Sequence, residues 1–333
     1  MFNPLTTSER IGETFRRYIL STFSTSSDEY NEQLRKLLFE DDSIVRGPYL
    51  QISHNFPAGH SMGELIDQGV LSPEFRKLSD IGFMNHNLYG HQEQAILKAI
   101  SGRNIVVSTG TGSGKTETFL IPILNELMRE KEAGSLGPGV RAMLIYPMNA
   151  LANDQLDNLR DVLIEYPDIT FGSFTGETQD TKQEADDRDA GVVKHPPNEI
   201  YDRKSMRANP PNILISNYAM LEHLLLRPEN CTLFGKPGNN SWRYIILDEA
   251  HTYTGAKGSE VTILLRRLKA TLERSDIQFI LTSATLGSED QDKEVAEFAS
   301  ELCSTKFEES DIIRSTPIPL NYPTNPVTIQ NHL

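Results

Sequence analysis

The sequence predicts an α/β fold built on a parallel β-sheet. From His86 onward, short apolar segments alternate with segments of helical periodicity, which is typical of parallel α/β proteins. Each apolar segment is followed at once by small, polar or charged residues; the segments are 105–109, 142–146, 169–174, 213–216, 244–248 and 279–282. Because ligands of open α/β sheets bind beyond the carboxyl ends of the strands, we expect these strand ends to form one functional rim.

Length, charge and cysteine content limit the class of protein. The chain has 333 residues, enough for one large domain with an appendage or for two modest domains. No apolar run approaches a membrane span, and the first residues do not resemble a secretory signal. Cys231 and Cys303 lie far apart without Cys or His at ligand spacing, so we expect no structural zinc, no disulfide and a cytoplasmic location. The net charge of −14 argues against bulk electrostatic binding of nucleic acid, but it permits local contacts from loop amides and a few side chains.

Residues 1–85 are predicted to form a helical and irregular N-terminal extension. Apolar residues recur at helical spacing in 12–23 and again in 30–38, which predicts two helices. The serine-rich break between them is suited to cap the second helix. Several Pro and Gly residues in 46–85 predict an irregular segment with one short helix at 62–68.

The sheet domain is predicted to span residues 86–315. Within it, the polar and mostly acidic segment 177–211 is predicted to be a solvated insertion loop. After Leu286 we expect only an acidic helix and a short apolar run. The proline-rich residues 316–333 are predicted to be a linker that leads out of the domain.

The segment from Ser108 to Thr116 carries the most specific motif. A glycine-rich turn here follows a strand and precedes a helix, which is the context of a phosphate-binding loop. Glycines let backbone N–H groups point at phosphate oxygens, and the helix adds the positive end of its dipole. The predicted nucleotide-binding residues are Thr109, Gly110, Thr111, Gly112, Ser113, Gly114, Lys115 and Thr116. Thr109 stands where the strict motif has glycine, and a flexible loop with an incidental lysine is the alternative.

Two carboxylates at another strand end supply the chemistry that such a loop requires. Asp248 and Glu249 follow the apolar run 244–247. We expect Asp248 and Thr116 to hold Mg²⁺, Lys115 to reach the β- and γ-phosphates, and Glu249 to act as general base. Alone, such a pair is more often the solvated first turn of a helix, but its combination with a phosphate loop favours catalysis. Lys115, Asp248, Glu249 and His251 are therefore the predicted catalytic residues.

Together these motifs resemble the first RecA-like lobe of superfamily 2 DExH-box helicases, over about residues 86–290. The resemblance rests on 111–116, on Asp248-Glu249-Ala250-His251, and on Ser283-Ala284-Thr285. It implies a RecA-like three-layer sandwich with a mostly parallel central sheet, ATP and Mg²⁺ as cofactors, and nucleic acid as partner. Gln92, in the segment 88–92, is implied to contact the adenine edge.

The resemblance also implies roles at the remaining strand ends. The implied contacts to the nucleic-acid backbone are Pro147, Asn149, Ala150, Gln155, Thr175, Gly176 and Asn217. The implied residues that couple nucleotide state to strand binding are Ser283, Ala284 and Thr285. In this family a second RecA-like lobe supplies arginine fingers worth about 10³–10⁵ in rate. Since no such lobe follows Leu286, we expect it elsewhere in the full protein or in a partner subunit.

A finer resemblance concerns one bacterial group. The segments 150–155, 255–259 and 266–268 are similar to those of mitomycin-repair helicases and of the large helicases of anti-phage systems such as Druantia. That similarity implies DNA as the nucleic acid, and it implies relatives with a C-terminal zinc-binding domain that this chain lacks. Two alternatives stay open: a nucleotide-gated interaction module, and an unrelated phosphate-loop ATPase, against which Gln92 and 283–285 argue.

Overall fold

A computed structural model describes residues 3–40, 55–78, 82–110, 112–189, 193–236 and 240–319. The chain divides into two compact units, residues 1–54 and residues 55–333. In the first unit the two predicted helices are confirmed as α1 (Pro4–Phe23) and α2 (Asp28–Glu40). The predicted serine cap is also present, because the hydroxyl of Ser27 accepts the N–H of Tyr30 at 3.4 Å.

The second unit alternates strands with helices. Its described elements are, in order, β1 (Ala58–Ser61), α3 (Met62–Asp67), β2 (Asn87–Tyr89), α4 (Gly90–Ile100), β3 (Ile105–Ser108), α5 (Lys115–Glu132), β4 (Ala142–Tyr146), α6 (Asn149–Leu163), β5 (Phe171–Ser173), α7 (Lys182–Asp189), α8 (Arg203–Ala208), β6 (Ile213–Asn217), α9 (Tyr218–Leu226), α10 (Cys231–Phe234), β7 (Tyr244–Leu247), α11 (Gly255–Leu272), β8 (Gln278–Ser283), α12 (Asp292–Cys303) and β9 (Ile312–Arg314).

The strands from β3 to β9 form one sheet in the order β5-β6-β4-β7-β8-β3-β9, and every pair is parallel. All six strands predicted from the sequence are confirmed. The seventh, β9, contains the short apolar run Ile312-Ile313 followed by Arg314, and it pairs with β3 at the edge of the sheet. Every residue of β3, β4, β7 and β8 is buried, which explains their continuous apolar character.

Helices cover both faces of the sheet. On one face, Leu144 and Ile246 pack in a core with residues of α4, α5 and α6. On the other face, Met143 and Ile245 pack in a second core with residues of α9, α11 and α12. Neighbouring residues of one strand thus point into different cores, as the pleat of a strand requires. The predicted three-layer sandwich is confirmed.

Residues 55–78 pack with the sheet unit. Met62, Leu65 and Phe75 are buried in the same core as α4 and α5. The short helix predicted at 62–68 is α3, and β1 pairs with β2 in a small antiparallel sheet. The predicted boundary between residues 85 and 86 stays a prediction. Of the predicted linker, residues 316–319 contain no helix or strand, and the rest lies outside the described residues.

The prediction of a solvated loop at 177–211 is wrong for much of that segment. It contains α7 and α8, and Asn198, Glu199 and Asp202 are buried. Arg160 on α6 donates to both carboxylate oxygens of Glu199, from Nε at 2.8 Å and from Nη2 at 2.6 Å. A buried carboxylate is tolerated when a bidentate arginine balances its charge, so an acidic composition did not mean full exposure here.

Candidate active site

Three neighbouring strand ends bring the predicted catalytic segments together. The phosphate loop follows β3, Ser283 ends β8, and Asp248 follows β7, and these strands are adjacent in the sheet. Strands lie about 4.8 Å apart, so β3 and β7 are separated by roughly 10 Å. The N–H of Thr109 donates to the carbonyl of Ser283 at 3.1 Å, which fixes the loop against β8. The convergence that the sequence predicts is therefore present.

The phosphate loop relies on glycine at two points. Gly112 has φ +76° and Gly114 has φ +72°, a left-handed conformation that favours glycine. A side chain at Gly112 would meet no atom within 4 Å, so open space lies beside the loop. Thr109 has no positive φ, and its hydroxyl lies 2.6 Å from Ser113 Oγ. The threonine that replaces the motif's glycine thus stabilises the loop through this contact with Ser113. Thr111 lies outside the described residues.

Lys115 and Asp248 lie at the same edge of the sheet. Lys115 Nζ donates to the carbonyl of Thr109 at 3.3 Å, so this side chain bends back over the loop. Burial raises the pKa of Asp248, and the negative charge of Glu249 raises it further. The hydroxyl of Thr282, which donates to Asp248 Oδ1, and the positive charge of Lys115 both lower that pKa.

Glu249 occupies a strained position in this site. Its φ is +49°, which is uncommon for a residue with a side chain. Its Oε2 is buried and makes no hydrogen bond, although it lies 3.2 Å from Nδ1 of His251. His251 Nδ1 lies 3.0 Å from the hydroxyl of Ser283, which accepts the N–H of Thr285 at 3.2 Å. The predicted general base therefore contacts the predicted coupling residues through His251.

The coupling residues differ in exposure. Ser283 is fully buried, Ala284 is half-buried and Thr285 is exposed. These three consecutive residues therefore extend from the interior of the sheet to its surface. They are thus placed to connect the carboxylate loop with the surface of the rim.

The first turn of α4 also contacts the phosphate loop. Gln92 Oε1 accepts the N–H of Tyr89 at 2.7 Å, and its Nε2 donates to the carbonyl of Gly114 at 3.0 Å. His91 Nε2 lies 2.9 Å from the carbonyl of Ser113, and burial lowers the pKa of this histidine. Gln92 and His91 thus bind the loop backbone, while a contact of Gln92 with adenine stays a prediction.

We expect Gly114→Ala to weaken binding of a fluorescent ATP analogue by about ten- to a hundredfold. A Cβ at this position would lie 2.0 Å from Gln92 Nε2, and the left-handed φ adds strain. Gly137→Ala is the matched control, because a Cβ there meets no atom within 4 Å and the residue has no positive φ. Equal affinity of both variants would show that the loop geometry does not govern binding.

Other strand ends form the remainder of the rim. Asn217 Nδ2 donates to Asn149 Oδ1 at 2.7 Å, and Asn149 Nδ2 donates to Glu177 Oε1 at 3.0 Å. These bonds connect the ends of β6 and β4 with the loop after β5. Asn217 Oδ1 also accepts the N–H of Met220 at 2.7 Å, which caps α9.

The predicted nucleic-acid contacts divide into two groups by exposure. Ala150 and Gly176 are exposed, and Pro147, Asn149 and Asn217 are partly exposed. Gln155 and Thr175 are buried. The first group can meet a ligand on the rim directly, whereas Gln155 and Thr175 lie behind the surface that it presents.

One residue of this region was missed by sequence reasoning. Arg314, at the end of β9, donates to Asp292 Oδ1 at 2.6 Å, to the carbonyls of Gly287 and Leu286 at 2.9 and 3.1 Å, and to Ser108 Oγ at 3.3 Å. It therefore joins the loop after β8 to the start of the phosphate loop. A single arginine after a short apolar run gives no signal of this role in the sequence.

The residues present fit Mg²⁺ held together with a nucleotide. Mg²⁺ is usually bound by one or two carboxylates plus phosphate and water, and Asp248 with the half-buried Thr116 supplies such a set. Across the described ranges, no group of three or more His, Cys, Asp and Glu side chains is placed to hold a metal ion. Nor is any described helix both long and apolar enough to cross a membrane.

Comparison with known proteins agrees with this geometry. The profile of the family described as DEAD/DEAH box helicase matches residues 89–293. The chain is 28% identical to the Druantia protein DruE of Escherichia coli (strain UMEA 4076-1), covering 93% of this chain and 22% of that protein. It is 29% identical to the ATP-dependent helicase hrq1 of Schizosaccharomyces pombe (strain 972), covering 80% of this chain and 22% of that protein.

A solved structure is also similar. The DUF1998 helicase MrfA bound to DNA matches with a TM-score of 0.58 and 27% identity, over 79% of this chain and 31% of that one. The chain spans about a fifth of the length of the two curated relatives, at 22% of each.

Proposed function

The chain belongs to the DEAD/DEAH box helicase family, and we propose that it is the ATP-binding lobe of a DNA helicase or translocase. The observation that carries the proposal is the convergence of the phosphate loop after β3 and the carboxylates Asp248 and Glu249 after β7 at one edge of the sheet, where Glu249 has a carboxylate oxygen without a hydrogen bond. A phosphate loop, a metal-binding carboxylate and a second carboxylate within reach form the minimal set for phosphoryl transfer to water.

Each residue of this set has a distinct task. Lys115 and the backbone N–H groups of the loop bind the β- and γ-phosphates of ATP. Thr116 and Asp248 would hold Mg²⁺, which supplies positive charge to the phosphate oxygens during transfer. Glu249 accepts a proton from the attacking water through Oε2, the oxygen that lacks a hydrogen bond. Its contact with His251, and through it with Ser283, couples this step to the rim.

DNA is the proposed nucleic acid. The similarity to the MrfA structure, which is described as bound to DNA, supports it. The strand would lie across the exposed and partly exposed residues Asn149, Ala150, Gly176 and Asn217. Since the chain spans about a fifth of its curated relatives, at 22% of DruE, a second RecA-like lobe is proposed as the partner that completes the site.

Strand-stimulated hydrolysis tests this function. With the second lobe present, single-stranded DNA is expected to increase ATP turnover. This chain alone is expected to be slower by about 10³–10⁵-fold, because the arginine fingers are proposed to come from the second lobe. The measurement is steady-state phosphate release, with and without the strand, for both forms. Fast strand-stimulated hydrolysis by this chain alone would contradict the need for a second lobe. Indifference of the complete protein to the strand would favour a nucleotide-gated interaction module.

A further inference from the structure

A basic cavity lies beside the rim, away from the phosphate loop and the carboxylate loop. It has a volume of about 120 Å³ and lies between α8, α9 and the residues that follow α9. Three arginines line it, Arg203, Arg207 and Arg227, together with His223 and the ring of Phe174. The chain has a net charge of −14, but the three guanidinium groups make the surface around this small cavity locally positive.

The arginines keep most of their donors available. Arg203 donates from Nη2 to the carbonyl of Thr175 at 3.2 Å and from Nη1 to Asp180 at 3.2 Å, and its Nε makes no hydrogen bond. Arg207 donates from Nε to Asn230 Oδ1 at 2.9 Å and from Nη2 to Glu229 Oε1 at 2.8 Å. Since a guanidinium carries five N–H donors, the protein leaves both arginines with capacity for another acceptor.

The carboxylates near these arginines are weak partners. The side chains of Asp180 and Glu229 are 67% and 53% exposed, whereas those of Arg203 and Arg207 are 19% and 22% exposed. Ion pairs with an exposed partner contribute little, because water and salt screen them. Arg227 lies 3.8 Å from the same Glu229. The carboxylates can therefore swing into solvent while the less exposed arginines stay in place.

Residues of the cavity contact the loops of the rim. Phe174 directly follows β5, and the guanidinium groups of Arg203 and Arg207 lie 5.4 and 5.9 Å from the centre of its ring. The contact of Arg203 with the carbonyl of Thr175 connects the cavity to the loop that carries Gly176. Asn217 of the rim caps α9, and the same helix carries His223, which lines the cavity.

We propose that this cavity binds a phosphate of the nucleic-acid backbone and so extends the strand path beyond the rim. The inference rests on the proposed function, because it concerns the same strand. Arginine forks are well suited to phosphate oxygens, and a cavity of about 120 Å³ has room for one phosphate group. The site also explains how a strongly acidic chain retains a polyanion: the positive charge is concentrated at one point on the path of the strand.

The test is the salt dependence of strand binding. Dissociation constants of a fluorescent single-stranded DNA are measured between 50 and 200 mM NaCl for the unaltered protein and for Arg207→Gln. The logarithm of the dissociation constant rises with the logarithm of the salt concentration, and each lost phosphate contact reduces that slope by about 0.7 for a single strand. We expect that decrease in Arg207→Gln, together with about fivefold weaker binding at the lowest salt.

Two further variants separate charge from structure. Arg207→Lys keeps the charge without the fork, so its slope should stay near that of the unaltered protein. Arg76→Gln is the matched control and should change neither slope nor affinity, since Arg76 pairs with the exposed Asp67. Arg76 lies in a turn away from the rim. Near this turn, the hydroxyl of Ser72 donates to Glu132 at the end of α5. Binding of a fluorescent ATP analogue verifies that each variant is folded.

The possible outcomes are distinct. If the unaltered protein binds the strand and Arg207→Gln has the same salt slope, the proposal that the cavity binds a backbone phosphate is overturned. The proposed function is not affected by that result. Absence of strand binding by the unaltered protein overturns both. A third arm adds inorganic phosphate at constant ionic strength and follows the melting temperature. If phosphate raises the melting temperature of the unaltered protein but not that of Arg207→Gln, while the salt slope is the same in both, the cavity is assigned to free phosphate and its role in strand binding is overturned.

Discussion

Lys115→Ala is expected to reduce affinity for ATP–Mg²⁺ by at least about 10²-fold and to abolish turnover with it. The lysine supplies the positive charge nearest the loop, and alanine leaves the phosphate charge without its main partner. The substitution also removes one of the groups that lower the pKa of Asp248, so this buried carboxylate becomes harder to ionise for metal binding. Titration with a fluorescent ATP analogue in the presence of Mg²⁺ measures the loss.

A lysine at the other end of the same helix is the matched control. Lys131 lies in the last turn of α5 and pairs with Asp168. Lys131→Ala removes the same charge from the same helix but should leave nucleotide affinity within about twofold, because an exposed ion pair contributes little. Equal losses in the two variants would indicate a general effect of charge or stability. An unchanged affinity in Lys115→Ala would contradict the phosphate-loop assignment itself.

Glu249→Gln is expected to preserve nucleotide binding while lowering hydrolysis by about 10²–10⁴-fold. Glutamine keeps the size and polarity of the side chain but does not accept a proton from water. The variant should accumulate in the strand-bound, nucleotide-bound form, which gel-shift or anisotropy measurements detect. Single-turnover phosphate release with the second lobe present measures the chemical step directly.

Glu273→Gln provides the control for this substitution. Glu273 is also a glutamate with positive φ, at +47°, but it ends α11 and is exposed. A change of charge in that backbone conformation, away from the carboxylate loop, should leave turnover as it was. Comparable turnover in Glu249→Gln would remove Glu249 from the role of general base and direct attention to His251.

Local sequence patterns were sufficient for the sheet and for the convergence of the loops. The six strands were predictable because each is a short apolar run, and the parallel order then brings their carboxyl ends to one rim. The glycines at 112 and 114 were informative because their positive φ is a backbone requirement that few other residues meet. In such cases the residue type alone indicates the local backbone structure.

Features that depend on distant contacts were not predictable. The acidic segment 177–211 looked solvated because nothing near it in sequence indicates that Arg160 will balance Glu199. The buried state of Gln155 and Thr175 depends on how α6 and the loop after β5 pack on the sheet. Arg314 acquires its partners only when β9 pairs beside β3. Each case is a long-range interaction, for which a local pattern has no signal.

The backbone of Glu249 has a thermodynamic consequence. Among the described residues, the other non-glycine residues with positive φ are Glu273 and Ser304, which end α11 and α12, where that conformation is common. Glu249 ends no helix, so the surrounding packing must hold it there at a cost of about 1–3 kcal/mol. Glycine would relax that cost and remove the carboxylate. The protein thus gives up thermal robustness at the position where its proposed chemistry needs a proton acceptor, a compromise between stability and turnover.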